Sequence, residues 1–360
     1  DIWLGFEKFS STAQDNGYAF FRYVDKNKLH ENFYYILKED STDYIKASQE
    51  SDKIVPFMSF KYLLLIYASN IFVTSEHKRH AYHLRVRTGL LGRKIENKKS
   101  VFLQHGVTAL KKTNFFKKAR ARGNFNLVIA TSNLEKEIIH KNWNYKPNEI
   151  AVTGFPRWDY LFDKSRDQKH KKIFVMPTWR TWLEGMKMED FKQTDYFKNY
   201  QVFLNSKELE AILKTHNIEL CFFLHPKFSE YFSAFEIKNQ SVQIKEFQSV
   251  KVNEELMESS LLISDYSSVT WDMFFMKKPV IFYQFDFEQY NDFEGSYIDM
   301  ENDLFGDRAL NGSELVALIN EYAMNNFQLK DEYHLLYNEY FEYMDRNNSS
   351  RTFEVIKKLK

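Results

Sequence analysis

Leu261–Phe275 reads LLISDYSSVTWDMFF, and the order of its three parts decides the fold. Leu261–Ile263 is a short apolar run that predicts a buried strand. Ser264–Ser268 is a polar turn, and Val269–Phe275 continues as an apolar, helix-compatible segment. Strand, polar loop and helix form the repeating unit of an α/β domain. The loop also sets Ser267 and Ser268 at a helix start, where unpaired backbone N–H groups and the positive end of the helix dipole suit a phosphate. A plain N-cap explains the two serines as well.

The same order recurs outward from this stretch. Ile71–Thr74 predicts a strand, after an apolar Tyr62–Tyr67 that fits either helix or strand. Val101–Leu103 runs into Gln104-His105-Gly106. Leu127–Ala130 runs into Thr131-Ser132-Asn133 and a helix-like Leu134–Lys141. Ile150–Thr153 runs into Gly154-Phe155-Pro156-Arg157. Upstream, Asp15-Asn16-Gly17 signals a turn before the aromatic run Tyr18–Val24, and Asn32–Leu37 is a second such run. Asp163–Lys172 is charged and without apolar periodicity, which predicts a linker. Beyond it come strands at Ile173–Met176, Leu220–Leu224, Val242–Ile244, Leu261–Ile263 and Val280–Tyr283, with a helix at Ser206–His216. Their loops carry Pro177-Thr178-Trp179-Arg180 and His225-Pro226-Lys227.

Parallel sheets place ligands beyond the C-terminal ends of their strands. The expected fold is therefore α/β and GT-B-like, with two Rossmann-type domains and a cleft between them. The first domain would take residues 1–165 and the second 166–345. Tyr333–Met344 reads as helical, and a final helix within 346–360 would pack back on the first domain.

The 360 residues are 44% hydrophobic and 17% aromatic, enough for two cores. The single cysteine, Cys221, excludes an internal disulfide framework and reads as a buried structural thiol in an apolar run. The longest apolar stretch, Tyr62–Val73, is too short to span a bilayer. The chain begins at Asp1 rather than methionine, as expected of a piece of something longer. Its net charge of +1 hides an asymmetry: His77–Arg122 holds fourteen Lys/Arg against one acid, Glu96. Such a run predicts a surface for an anionic polymer, a phosphorylated substrate or anionic lipid heads. No nucleic-acid module accompanies it, so nucleic acid is not an expected partner.

There is no dinucleotide fingerprint, P-loop, zinc spacing or nucleophile elbow. His77, His80 and His83 recur every third residue, but among so many cations no metal site is expected. Two histidines stand out by position. His105 ends a strand and precedes Gly106; His225 ends a strand and precedes Pro226. Each is placed to accept a proton from a hydroxyl, to donate to a phosphate oxygen, or merely to cap its strand. Arg157, Arg180 and Lys227 are candidate phosphate or carboxylate clamps. Asp265 suits a ribose or acceptor hydroxyl, the orienting of a histidine, or a helix cap.

Taken together the motifs resemble the CDP-glycerol glycerophosphotransferase family, the teichoic acid primases and polymerases, whose relatives build phosphodiester-linked capsules. The matching segments are Asp15-Asn16-Gly17, Phe102–Val107, Gly154–Asp159, Pro177–Arg180, His225-Pro226, Ser264–Val269, Lys278-Pro279 with Val280–Asp286, and Asp345…Ser350-Arg351. The resemblance implies transfer of glycerol phosphate or ribitol phosphate from a CDP-alditol to an acceptor hydroxyl, with release of CMP. It implies His105 as general base or acceptor-side phosphate ligand, and His225 as a group stabilising the donor pyrophosphate. Ser267 and Ser268 would hold its oxygens, with Thr178 and Asp265 in the same donor site and Arg180 and Arg351 as further anion contacts. No tightly bound cofactor is implied, and no metal ligands are. Lys111, Lys112, Lys117, Lys118 and Arg157 would face a polyanionic or lipid-linked acceptor, or an anionic membrane. The protein would then be cytoplasmic and peripheral at the inner face of a bacterial membrane.

Two loops depart from the family pattern. His105-Gly106 is followed by Val107-Thr108-Ala109-Leu110-Lys111 rather than Thr-Pro-Leu-Lys, and Arg157 by Trp158-Asp159 rather than Asn-Asp. Both bear on acceptor choice. A nucleotide-sugar glycosyltransferase of the same fold is the nearest alternative, and a non-catalytic polyanion-binding domain a more distant one.

Overall fold

A computed structural model describes residues 1–83, 89–118, 124–246 and 250–359. The cations Arg85, Arg87, Arg120 and Arg122 of the basic run lie outside them. The chain forms two compact units. The first comprises 1–108, 113–160 and 338–360, and the second 109–112 and 161–337.

The first unit is built on seven parallel strands: β1 (Trp3–Phe6), β2 (Phe33–Leu37), β3 (Ile54–Pro56), β4 (Ile71–Thr74), β5 (Lys99–Phe102), β6 (Leu127–Ala130) and β7 (Ile150–Val152), in the order β3-β2-β1-β4-β5-β6-β7. The second has six: β8 (Lys171–Val175), β9 (Ile218–Phe223), β10 (Val242–Lys245), β11 (Leu261–Ser264), β12 (Val280–Tyr283) and β13 (Asp307–Ala309), in the order β10-β9-β8-β11-β12-β13. All of the pairings are parallel. Strands covered on both faces read as unbroken apolar runs, which is how β6, β11 and β12 appear in the sequence. Alternate residues of the second sheet, such as Ile173/Val175, Leu220/Phe222 and Leu261/Ile263, share one core with Leu204, Leu213 and Ile319 of the covering helices.

Several local expectations shift. Asp15-Asn16-Gly17 is a helix start rather than a turn: Asp15 is the N-cap of Asn16–Lys26. Glu7, 1% exposed, anchors it by accepting from Asp15 N–H and Tyr18 N–H on one oxygen, and from Gln14 N–H and Thr12 Oγ1 on the other. Burial, then the nearby Asp15 charge, push the Glu7 carboxyl up to about 8, against the pull of those N–H groups. The stretch expected as a linker is docked instead. Lys171 and Lys172 belong to β8, and Lys172 Nζ bonds Glu258 at 2.6 Å. Tyr333–Met344 holds two four-residue helices, Asp331–His334 and Tyr337–Tyr340, rather than one.

The last helix, Asn348–Lys357, belongs to the first unit. Asp159 accepts from Asn348 N–H and Ser349 N–H at 2.9 and 2.8 Å, capping its N-terminus. Gly154, at φ +76°, passes so close that a Cβ there would lie 2.0 Å from Asn348 Oδ1. The Gly-x-Pro-Arg-Trp-Asp segment is thus a seat for this helix, with Trp158 buried edge-on against Phe341.

Candidate functional site

In the second sheet the strand order reverses between β8 and β11, the position where doubly wound sheets open a crevice at their C-terminal ends. Pro177–Arg180 follows β8 and Ser264–Ser268 completes and follows β11, so both motifs stand at that point. His225 follows β9, the next strand over.

Hydrogen bonds bind these loops into one body. Thr178 N–H donates to both oxygens of Asp265, at 2.9 and 3.1 Å, and Tyr266 N–H donates to the same carboxylate. Arg180, 1% exposed, lies 2.9 Å from Asp265 through one arm and donates to Asp286 at 2.6 and 3.0 Å through Nε and the other. Its guanidinium also sits over the Tyr266 ring, which stacks on Tyr290 at 3.5 Å. Burial opposes the charge on Arg180, but Asp265 and Asp286 hold its pKa well above the ordinary value. Burial raises Asp265, with Arg180 and Thr178 pulling back. Asp265 and Arg180 are therefore internal struts that shape the two loops, and neither side chain reaches a surface where it would touch a ribose or a phosphate directly.

What these struts present is polar and accessible. Ser267 and Ser268 are half-buried, and Ser268 makes no side-chain cap bond to the seven-residue helix Val269–Phe275. Val269 N–H reaches Ser267 Oγ only at 3.5 Å. The capping expectation is thus corrected for Ser268, whose φ of −66° is helical rather than extended. Thr178 Oγ1 is buried and without a partner. His225 Nδ1 accepts Lys227 N–H at 3.2 Å, which assigns the ring proton to Nε2. The ring stacks on Trp179 at 6.0 Å, and Lys111 and Lys227 stand over the same indole at 5.2 and 5.3 Å. Two cations and an imidazole N–H donor are thereby gathered around the Pro177–Arg180 loop.

In the first unit His105 lies just past β5, with its side chain 51% exposed. Nδ1 is 3.4 Å from Ser75 O and 3.9 Å from Glu76 Oε1. The residue before it, Gln104, holds φ +57°, an uncommon conformation for a residue with a side chain. Four buried partners hold it there. Gln104 donates to Ile129 O and Glu135, while Asn16 Nδ2 donates to Gln104 O at 2.7 Å. Thr108, beyond the histidine, donates through Oγ1 to Gln104 Oε1 at 2.8 Å and through its N–H to Glu135 at 2.7 Å. Arg157, 5% exposed, joins Asp15 at 3.1 Å and His105 O at 3.2 Å. Arg157 is thus corrected from a surface cation to a buried brace of the His105 loop, because it is 5% exposed and its Nη1 is shared between Asp15 and the carbonyl.

The remaining candidates lie elsewhere. Arg351 spans Asp345, Asn348 and Thr153 O in the first unit, and its hydrogen bonds hold the Asp345 carboxyl down to about 2. Lys111 pairs with Glu294 at 3.2 Å in the second unit, where Lys112 N–H also bonds Gly295 O. Lys117 and Lys118 belong to the first unit, and Lys118 pairs with Glu149. The basic run is not one surface either. Lys78, Arg79 and Lys98 are buried, Lys78 and Lys98 donating to backbone carbonyls and Arg79 meeting Glu96.

Sequence reasoning missed Glu7, Asn16, Glu76 and Glu135. Two had a signal: Asn16 sits in the Asp-Asn-Gly motif, and Ser132-x-x-Glu135 has the spacing of a capping box. Among the described residues no group of three metal-ligating side chains occurs, and no helix is long and apolar enough to cross a membrane.

The family described as CDP-Glycerol:Poly(glycerophosphate) glycerophosphotransferase matches residues 4–358. The chain is 29% identical, over 99% of its length, to the minor teichoic acid biosynthesis protein GgaB of Bacillus subtilis (strain 168), and spans 40% of that protein. It is 25% identical, over 95% of its length, to the teichoic acid ribitol-phosphate polymerase TarK of Staphylococcus aureus (strain NCTC 8325 / PS 47), and spans 66% of it. In fold it is similar to the wall teichoic acid polymerase TagF, with a TM-score of 0.68, 17% identity, and coverage of 100% of this chain and 89% of that one. That likeness supports the reading of two Rossmann-type units of the GT-B-like class.

Proposed function

Because the chain belongs to the CDP-glycerol:poly(glycerophosphate) glycerophosphotransferase family, we propose that it moves an alditol phosphate from a CDP-alditol to an acceptor hydroxyl and releases CMP. The observation that carries the donor half of this reading is the joining of Pro177–Arg180 to Ser264–Ser268 at the β8/β11 reversal through Thr178 N–H and Asp265. The acceptor oxygen attacks the β-phosphorus, the bond from that phosphorus to the bridging oxygen breaks, and CMP leaves. His105 Nε2 takes the acceptor's proton. His225 Nε2–H, the hydroxyls of Ser267 and Ser268, and nearby backbone N–H groups bear the charge on the phosphoryl oxygens. Phosphoryl transfer demands mainly such positioning and charge stabilisation. Arg180 and Asp265 serve by holding the loops, and Arg351 by seating the last helix beside Gly154.

Incubation with CDP-glycerol, CDP-ribitol and UDP-sugars tests the reading. CMP is expected from one of the first two, with the alditol phosphate found on the acceptor by mass analysis. UDP release instead would make the protein a glycosyltransferase.

The acceptor in this reading is a polyanion or a lipid-linked chain at the cytoplasmic leaflet, with the protein peripheral to it. Phe60, Leu64 and Tyr67, at i, i+4 and i+7 of helix Phe60–Ala68, are all exposed, and Leu90, Arg93 and Lys94 are exposed on the adjoining Gly89–Glu96. An apolar stripe with cations beside it suits an anionic interface. Phe60→Ser with Leu64→Ser is expected to weaken sedimentation with phosphatidylglycerol vesicles by about 100-fold or more, since each buried apolar side chain contributes roughly 1.5–3 kcal/mol, about tenfold or more apiece. Reversing Lys111, Lys112, Lys117 and Lys118 is expected to do less, because Lys111 and Lys118 already have carboxylate partners. Unchanged vesicle binding in the serine variant rules this surface out.

A further inference from the structure

We infer that Glu76 is the positioning residue of His105, the middle member of a relay that runs from Phe9 N–H through His80 and Glu76 to the His105 ring. The inference rests on the reading of His105 as the base that accepts the acceptor's proton.

β4 ends at Thr74, and the chain hooks back at once: Glu76 N–H donates to Thr74 Oγ1 at 3.0 Å. This sets the Glu76 carboxylate, 15% exposed, between two imidazoles. Oε2 lies 3.6 Å from His80 Nε2 and Oε1 lies 3.9 Å from His105 Nδ1. His80 is buried, and its Nδ1 accepts Phe9 N–H at 3.0 Å. A ring nitrogen that accepts carries no proton, so the proton of neutral His80 is on Nε2, facing Glu76. Ser10 Oγ donates to the His80 backbone carbonyl at 3.1 Å and the Phe9 ring meets the imidazole edge-on at 4.8 Å, so both the backbone and the ring of His80 are held.

Phe9 and Ser10 both hold positive φ, 55° and 52°. Two successive side-chain-bearing residues in that region are kept only where the surroundings over-determine them. Here the conformation aims Phe9 N–H at His80. Of the described cations beside it, Arg79 and Lys78 turn to the side chain and carbonyl of Glu96.

At the far end, His105 Nδ1 faces two acceptors, Ser75 O and Glu76 Oε1. The proton of the neutral ring is therefore on Nδ1, and Nε2 is left with the lone pair a base needs. A carboxylate that fixes a histidine tautomer is the role of the buried aspartate in serine hydrolases. The pair here is longer and less buried, so the expected effect is smaller than there.

Glu76→Gln tests this, because each carboxylate oxygen faces a different imidazole and the amide turns an N–H donor toward one of them. The expected result is a fall in kcat for CMP release of about 10- to 100-fold with the KM for CDP-glycerol or CDP-ribitol within about twofold. In 15N-histidine spectra of the ligand-free chain, His105, identified by its loss in His105→Ala, is expected to shift toward the Nε2–H tautomer. Glu76→Asp is expected to recover part of kcat, and His80→Ala to fall between Glu76→Asp and Glu76→Gln. Should Glu76→Gln fold poorly, His80→Ala reads the same relay from its other side. An unchanged tautomer and kcat in both variants overturns the inference, as does a loss of kcat that only follows a loss of folded protein. Full activity in His105→Ala overturns the underlying assignment of the base instead.

Discussion

His105→Ala is expected to lower kcat for CMP release by about 10²–10⁴-fold, the range for removing a general base. The fold should survive the change, because half of the side chain is exposed and the loop is held by Gln104, Asn16, Thr108 and Arg157 rather than by the imidazole. His225→Ala is its companion in the second unit. It removes one Nε2–H donor from the phosphoryl charge, worth roughly 10²–10³ in kcat. The two variants part on donor affinity. His225→Ala should also raise the KM for the CDP-alditol, and His105→Ala should leave it unchanged. Steady-state kinetics with fixed acceptor decide the matter, and activity within threefold of wild type in either variant removes that histidine from the chemistry.

Arg180→Met should produce the largest loss of stability of any single change in the second unit. It strips the counter-charge from two carboxylates: Asp265 is 0% exposed, and the Asp286 side chain 7%. Removing one member of such a buried cluster costs about 3–5 kcal/mol. For a unit of this size that is a fall of the order of 10 °C in the corresponding thermal transition. Adding Asp265→Asn and Asp286→Asn to Arg180→Met should return part of the loss, because the uncompensated charges then go as well. Scanning calorimetry of the wild type and the variants checks this. A shift of under about 2 °C would mean that the cluster is better hydrated than its burial indicates.

The sheets were legible in the sequence at those buried strands that are apolar throughout or nearly so. β4, β6, β11 and β12 are unbroken apolar runs, and each was read within a residue or two of its bounds. β1 and β13 were not read, because Trp3–Phe6 and Asp307–Ala309 are short and interrupted by Gly5, Asp307 and Arg308. The motif loops were legible as a set, but the division of labour within each was not. Asp265, Arg180 and Arg157 have the chemistry of ligand-binding groups. Only their burial beside partners more than fifty residues away turns them into braces: Arg180 to Asp286, Arg157 to Asp15 and His105. Glu76 carried no local signal at all. Its meaning comes from β1, β4 and β5 lying side by side, which sets Phe9, Glu76 and His105 at neighbouring strand ends.

The helix Asn348–Lys357 belongs to the first unit, while 161–337 make most of the second. The chain therefore opens one unit, completes the other, and only then returns to close the first. At translation speeds of about 5–20 residues per second, roughly ten seconds or more separate the emergence of Trp158 from that of the helix that Asp159 caps. During that interval the seat formed by Gly154, Trp158 and Asp159 faces solvent. Of the two units, the one whose synthesis starts first is therefore the last to be completed.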